Sequence, residues 1–267
     1  MAETTTPVYC LDNFSPEAGA NSFYIEKLAA HLRNHSFVND PHKHDFYLIL
    51  YVTQGGGEHT IDFKTYMATP GSFFIMTPGQ VHSWKLDPGT DGFIIFFDHK
   101  FLEFSSSPHI EPTDIETLDV IVKEMFKEGD TKIRHAWLEI LLLKLSAYHQ
   151  ENGTINATTY KLRQLERLID KNFLKLKKPA DYADLMNLSP AYLNNLCKKH
   201  LGKTLSDLIN ERIVLEGKRL FAYTDLNVAQ VSNKLRFSEP SYFVRFFRKN
   251  AGITPEQFKE STIRTTQ

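Results

Sequence analysis

The chain has 267 residues, 42% hydrophobic and 12% aromatic, with 31 basic against 32 acidic side chains; that length favours two domains with ordinary cores. Two cysteines, Cys10 and Cys197, exclude a disulfide framework and fit a reducing cytoplasm. No basic-then-apolar leader opens the chain and no apolar run approaches the ~18 residues of a membrane span, so a cytoplasmic protein with no membrane contact is expected. The near-zero total hides a polarised chain: residues 1–158 carry 11 Lys/Arg and 21 Asp/Glu, whereas 159–267 carry 20 and 11, a net of −10 followed by +9. A basic last part points to a polyanion partner for that part alone.

In chain order, residues 1–36 are ambiguous: Phe23-Tyr24-Ile25 opens a strand, yet 25–32 also fits a helix. Residues 37–104 read as β-structure. Residues 46–52 are aromatic and β-branched and break at Gly55-Gly56-Gly57; further runs at 59–63, 72–76 and 92–97 are separated by Pro70-Gly71, Pro78-Gly79 and Pro88-Gly89. Pro fixes φ and Gly permits positive φ, so each pair is a turn signal, and short strands so spaced suggest a barrel or sandwich.

From Asp114 the period changes to that of a helix, with Ile115, Leu118, Ile121, Val122 and Met125 in register up to Gly129. A second helix is predicted over 132–150. Leu138, Ile140, Leu141, Leu142, Leu143 and Leu145 give it apolar residues nearly all round. Such a helix needs more than one neighbour: either the sheet and a second subunit, or complete burial within one chain. Residues 151–158 are polar and contain Gly153, and are expected to be a linker. Beyond them the chain reads as helix, with Leu162, Leu165, Leu168, Ile169 and Phe173 in one stripe, a short helix from Pro179, a long one over 205–223, another near 228–235, and a terminal turn at 255–258.

Two stretches of this last part repeat each other at an offset of 50 positions. Residues 189–204 (Ser189-Pro190-Ala191-Tyr192 to Gly202-Lys203-Thr204) match residues 239–254 (Glu239-Pro240-Ser241-Tyr242 to Gly252-Ile253-Thr254). In the first, Leu193, Leu196, Cys197 and Leu201 form one buried face, leaving Ala191, Asn194, Asn195 and Lys198 outward. In the second, Phe243, Phe246, Phe247 and Ala251 repeat that face, leaving Ser241, Val244, Arg245 and Arg248 outward. A short helix precedes each, which is helix-turn-helix logic. The 19-residue helix between them spans about 28 Å at ~1.5 Å per residue, close to the roughly 34 Å between successive major grooves on one DNA face.

On these residues, 165–259 resembles the DNA-binding domain of the AraC family, most strongly over Val231-Ser232-Asn233-Lys234-Leu235-Arg236-Phe237-Ser238-Glu239-Pro240 and on to Pro255-Glu256-Gln257-Phe258-Lys259. Three positions depart: Arg236 where the family usually has Gly, Lys259 where it often has Arg, and Cys197 in place of the usual Phe. The resemblance implies base readout by Ala191, Asn194, Asn195, Ser241, Tyr242 and Arg245. Arg suits the guanine edge and Asn the adenine edge. Lys198, Lys199, Arg248 and Lys249 are better placed for phosphates.

Upstream, His42-Lys43-His44 before the first strong strand and His82 after Pro78-Gly79 resemble the cupin barrel that serves as effector domain in many AraC-family regulators. Metal-binding cupins add a glutamate where this chain has Leu48 and Ile49. Three imidazoles can still hold zinc or another divalent ion; the expectation is instead a ligand pocket with no metal and no cofactor. His42, His44, Tyr47, His59, His82 and Trp84 are its candidate residues, suited to a small polar ligand such as a sugar.

The expected fold is therefore α+β with two domains. The first part is a cupin-type β-barrel effector domain (1–112) with a helical connector for dimerisation (113–150). After the linker comes an all-α domain (159–267) of two helix-turn-helix units joined by a long helix. The expected function is a small-molecule-responsive, DNA-binding transcription regulator, an activator by resemblance, with no enzymatic activity. Its expected partners are promoter DNA, an effector, a second copy through 113–150, and RNA polymerase by resemblance. The rival readings are a metal-dependent cupin enzyme with an accessory nucleic-acid module, and an architectural protein that binds DNA without sequence preference.

Overall fold

The computed structural model describes residues 6–14, 22–35, 40–98, 108–148 and 157–265. Two compact units divide between residues 154 and 155. The first holds the strands β1 (Val8–Tyr9), β2 (Phe23–Lys27), β3 (His42–His44), β4 (Tyr47–Gln54), β5 (Gly57–Ile61), β6 (Lys64–Ala68), β7 (Phe73–Met76), β8 (Val81–Leu86), β9 (Asp91–Phe97) and β10 (His109–Ile110). Helix α1 (Leu28–Asn34) follows β2 directly, so the ambiguous 23–32 stretch is both a strand and a helix.

The sheet-rich first unit and helical second unit match the expected two-domain layout; among the described residues the strands form two five-stranded sheets, in the orders β1-β3-β8-β5-β6 and β10-β7-β4-β9-β2, with no closed barrel between them. Alternation along each strand decides what lies between them. In the second sheet Leu48, Leu50, Val52, Phe74, Met76, Ile94 and Phe96 share one core with Ile61 and Ala68 of the first sheet. Ile49, Tyr51, Phe73, Ile75, Phe93, Ile95 and Phe97 point the other way, into a separate core with two helices. A sheet covered on both faces reads as unbroken apolar runs, which is why 46–52 and 92–97 show no alternation in sequence.

The covering helices are α2 (Ile115–Lys127) and α3 (Thr131–Ala147). Asp114 accepts from the Thr117 N–H and Asp130 from those of Lys132 and Ile133, so each helix starts at a side-chain cap. Leu118, Ile121, Val122 and Met125 of α2, and Leu138, Leu141, Leu142 and Leu145 of α3, are buried against the sheet. The Tyr51 hydroxyl donates to Asp119 at 3.1 Å across that contact. Complete burial of α3 within the chain is not observed: Ile133, Ile140 and Leu143 stay 48%, 40% and 62% exposed, and Val120 of α2 56%.

The second unit contains α4 (Ala157–Asn172), α5 (Pro179–Leu185), α6 (Pro190–Leu201), α7 (Leu205–Tyr223), α8 (Val228–Lys234), α9 (Pro240–Ala251) and α10 (Pro255–Thr265). Most of the expected linker, 151–156, lies outside the described residues, while 157 and 158 already belong to α4. The expected terminal turn is the start of a full helix. The long α7 buries Leu205, Ile209, Ile213, Val214 and Phe221 in a core shared with Leu193, Leu196, Cys197, Phe243 and Phe247. No helix among the described residues is long and apolar enough to cross a membrane.

Candidate nucleic-acid interface and ligand site

Each helix-turn-helix unit pairs a short helix with a twelve-residue one: α5 with α6, then α8 with α9. The turns close alike. Leu188 N–H donates to the Ala183 carbonyl (2.9 Å) and Phe237 N–H to that of Ser232 (3.0 Å), bonds that require a left-handed residue between. That residue is Asn187 (φ 53°) in the first unit and Arg236 (φ 56°) in the second. Asn tolerates the conformation; Arg adopts it at a cost. Both longer helices begin at Pro, whose missing N–H costs nothing there, and end at left-handed Gly202 and Gly252.

Leu193, Leu196 and Cys197 are buried on α6, as are Phe243 and Phe247 on α9. Ala191, Asn195, Lys198 and Lys199 are exposed on the first helix, and Ser241, Tyr242, Arg245, Arg248 and Lys249 on the second. Asn194 is the correction. It is half-buried, and its side-chain oxygen accepts from the Leu205 N–H at 3.1 Å, so it caps the start of α7 rather than facing outward. Fifty residues on, Val244 occupies its position and Pro255 that of Leu205. Proline has no N–H to cap, so an apolar side chain suffices there. Val244 is accordingly half-buried rather than outward.

Two residues went unpredicted. Tyr192 is exposed on α6, in the position that Tyr242 holds on α9, and Lys161 Nζ donates to its hydroxyl at 3.2 Å; the 50-residue repeat would have identified it. Lys177 lies in the loop between α4 and α5. Its ammonium donates to the carbonyls of Leu235 (2.7 Å) and Arg236 (3.0 Å) and sits 3.7 Å from the Phe237 ring centre. The first unit thereby holds the turn that aims the second unit's longer helix, a contact with no sequence signal. Burial lowers the Lys177 pKa to about 8, so the ammonium is mostly charged at pH 7.

In the other unit, strand register gathers the histidines. His42 and His44 lie two apart on β3, His82 pairs with His42 across β8, and His59 pairs with Trp84 across β5. All four imidazoles are buried, and the parity that turns them inward sends Lys43, Ser83 and Thr60 outward. His44 Nε2 and His82 Nε2 are 2.9 Å apart, as are His82 Nδ1 and His59 Nε2. Tyr47 does not join them: it lies on the helix-covered face of its sheet, stacked on Phe97 with ring centres 5.5 Å apart. His31, from α1, is a buried neighbour without a motif to reveal it, and its Nδ1 meets the Tyr24 hydroxyl at 3.2 Å.

Burial, followed by the positive charge that neighbouring histidines would carry, holds these rings neutral. It pushes His31 and His59 down to about 3, and His44 and His82 well below the usual imidazole range. His42 is also lowered by burial, against a bond from Nδ1 to the Asp40 carbonyl (2.7 Å) that favours its charged form. Nε2 of His31 and His42, Nδ1 of His44 and His59, and Trp84 Nε1 are all buried without a hydrogen-bond partner among the described residues. Each such group costs about 1–3 kcal/mol unless something polar meets it. These groups have the chemistry to meet a polar ligand, and His42, His44 and His82 each have a ring nitrogen within 4.8 Å of the others.

A family model described as an AraC-like ligand binding domain matches residues 22–127, and one described as a Helix-turn-helix domain matches 182–261. The uncharacterized HTH-type transcriptional regulator YfiF of Bacillus subtilis (strain 168) is 24% identical over 265 residues, covering 89% of this chain and 83% of its own. The arabinose operon regulatory protein of Escherichia coli (strain K12) is 21% identical, covering 84% and 83%. The HTH-type transcriptional activator RhaS of Escherichia fergusonii is 22% identical, covering 82% and 87%. Among solved structures, ToxT of Vibrio cholerae O395 aligns over 89% of this chain and 97% of its own, at 12% identity and a TM-score of 0.42.

Proposed function

We propose that this chain, whose two halves match an AraC-like ligand binding domain and a helix-turn-helix domain, works as an AraC-family transcription regulator, with α6 and α9 carrying it onto promoter DNA while the histidine-lined interior holds its effector. It is a DNA-binding regulator with an effector-binding domain. The observation that carries the site reading is the repeated exposed face on two equivalent helices. Asn195 and Arg245 have the chemistry to read adenine and guanine edges, beside Ala191, Ser241 and Tyr242. Lys198, Lys199, Arg248 and Lys249, late in their helices, suit phosphates. Asn194 is withdrawn from base reading because its oxygen is engaged by Leu205.

His42, His44, His59, His82 and Trp84 bind the effector in this reading, supported by the buried nitrogens of His42, His44, His59 and Trp84 that have no hydrogen-bond partner among the described residues; a sugar has the hydroxyls to satisfy them. A second copy covers the exposed apolar residues of α2 and α3. Effector binding shifts the population of DNA-binding states through its differential affinity for them. The protein acts in the cytoplasm as an activator that contacts RNA polymerase, and it is not an enzyme. Selection of binding sites from random DNA, repeated with Arg245→Ala, tests the reading. A loss of about 1–3 kcal/mol with relaxed choice at one base is expected; equal weakening on every sequence refutes base reading by Arg245.

A further inference from the structure

Lys161 of α4 reaches the first turn of α6. Its ammonium donates to the Tyr192 hydroxyl at 3.2 Å and lies 5.1 Å from the centre of that ring. On α6 the exposed Ala191, Asn195 and Lys198 recur at i, i+4 and i+7, so they form its outer stripe. Tyr192, 43% exposed, is turned about 100° from Ala191 and shares the flank of the helix with Lys199, seven residues on. A phenolic oxygen that accepts from Lys161 still has its own O–H to donate, and an ammonium has three N–H groups of which the hydroxyl takes one. Donors from two helices therefore converge on one exposed spot, and a negatively charged acceptor satisfies them together. We propose that Lys161 and Tyr192 clamp a backbone phosphate of DNA, a positioning contact that recruits α4 alongside the two longer helices.

The flank favours a phosphate over a base edge. An α-helix with its side chains is about 10–12 Å across and the major groove is about 12 Å wide. A helix lying in that groove aims its outer stripe at the bases and its flanks at the phosphate walls. The Tyr192 hydroxyl is tied to a lysine 31 residues earlier, on a different helix, which holds it to the side of α6. An exposed contact of this kind adds little to stability, whereas an ammonium fixed in place before DNA arrives lowers the ordering cost of binding. The arrangement is not repeated in the second unit. Helix α7 precedes α8 as α4 precedes α5, but fifty positions on from Lys161 stands Glu211, paired with Lys203 at 2.9 Å. Tyr242 sets its ring against Phe237, with centres 5.7 Å apart. The clamp belongs to the half-site under α6, and it rests on the reading of α6 and α9 as the DNA-binding helices.

The test uses full-length protein on a duplex selected from random DNA and on a scrambled one, with affinity followed across salt concentration. Lys161→Gln is expected to weaken binding to both duplexes by the same factor and to lower the slope of log affinity against log salt by about 0.9, the share of one phosphate. Lys161→Arg keeps the charge and should keep the slope. Tyr192→Phe should weaken binding about 5-fold without changing the preferred bases, and the double variant should lose less than the product of the two single losses. Melting midpoints check that the variants fold. An unchanged salt slope in folded Lys161→Gln overturns the clamp, as does a change of preference confined to one base pair in Tyr192→Phe, which makes Tyr192 a base reader. Wild-type protein that binds both duplexes equally defeats the regulator reading instead, whereas failure of the clamp alone leaves that reading standing.

Discussion

Lys177→Met removes the link between the two helix-turn-helix units while keeping an unbranched apolar stem. The ammonium donates to two carbonyls, at 2.7 and 3.0 Å, and lies 3.7 Å from the centre of the Phe237 ring. Lys177 is half-buried, so each charge-assisted bond is taken at about 1 kcal/mol, below the roughly 1.5–3 kcal/mol of a protected one. The cation–π contact adds about 0.5–1 kcal/mol. A loss of about 2–3 kcal/mol follows, or about 8–12 °C in thermal midpoint for a domain of about 100 residues. Urea unfolding with midpoint and slope fitted together measures it. Because the bonded carbonyls belong to the turn before α9, DNA sites that engage both longer helices should weaken more than half-sites read by α6. A destabilisation within about 0.5 kcal/mol of zero, the usual range of surface changes, refutes the coupling.

Asn194→Ala should cost about 0.5–2 kcal/mol of stability by uncapping Leu205, whereas Asn195→Ala should leave unfolding unchanged and weaken DNA binding; the reverse outcome in paired melting and gel-shift assays restores Asn194 as a base reader. Arg236→Gly removes a side chain from a left-handed residue (φ 56°) and leaves the backbone carbonyl that Lys177 holds. Relief of about 1–2 kcal/mol less the entropy of glycine, about 0.5–1 kcal/mol, predicts a small stabilisation, readable as a raised melting midpoint. His31 has a folded pKa of about 3 against an ordinary 6.5. Its contribution is present above pH 6.5 and is lost progressively as pH falls towards 3, because the unfolded chain binds the proton first. Between pH 6.5 and 5 that amounts to about 2 kcal/mol. His31→Phe should flatten this part of the acid sensitivity of the first unit, seen in urea midpoints at pH 7 and pH 5; an unchanged pH slope refutes it.

The second unit was readable from residues because its signals are local. Helical spacing, Pro at helix starts, Gly at helix ends and a repeat at an offset of 50 located α5 through α9 and the 19 residues of α7. The first unit was less legible. Its strands were found where turn pairs bounded them, but β3, β6 and β8 are short or polar, and a sheet buried on both faces shows no alternation to read. Candidate His42, His44, His59 and His82 could be named but not oriented, since a shift of one residue reverses every side chain; the register grouped those four and sent Tyr47 to the opposite face.

Sequence by itself determined what depends on neighbours along the chain: the polarised charge, the duplicated helices and the residues that start and stop them. Only the tertiary structure decided what depends on partners far apart in sequence. It turned Asn194 towards Leu205, brought Lys177 to a turn 58 residues away, and closed three imidazoles from two strands into one cluster. Local propensity is written in spacing, whereas side-chain partnership is settled by which surfaces meet when the core packs.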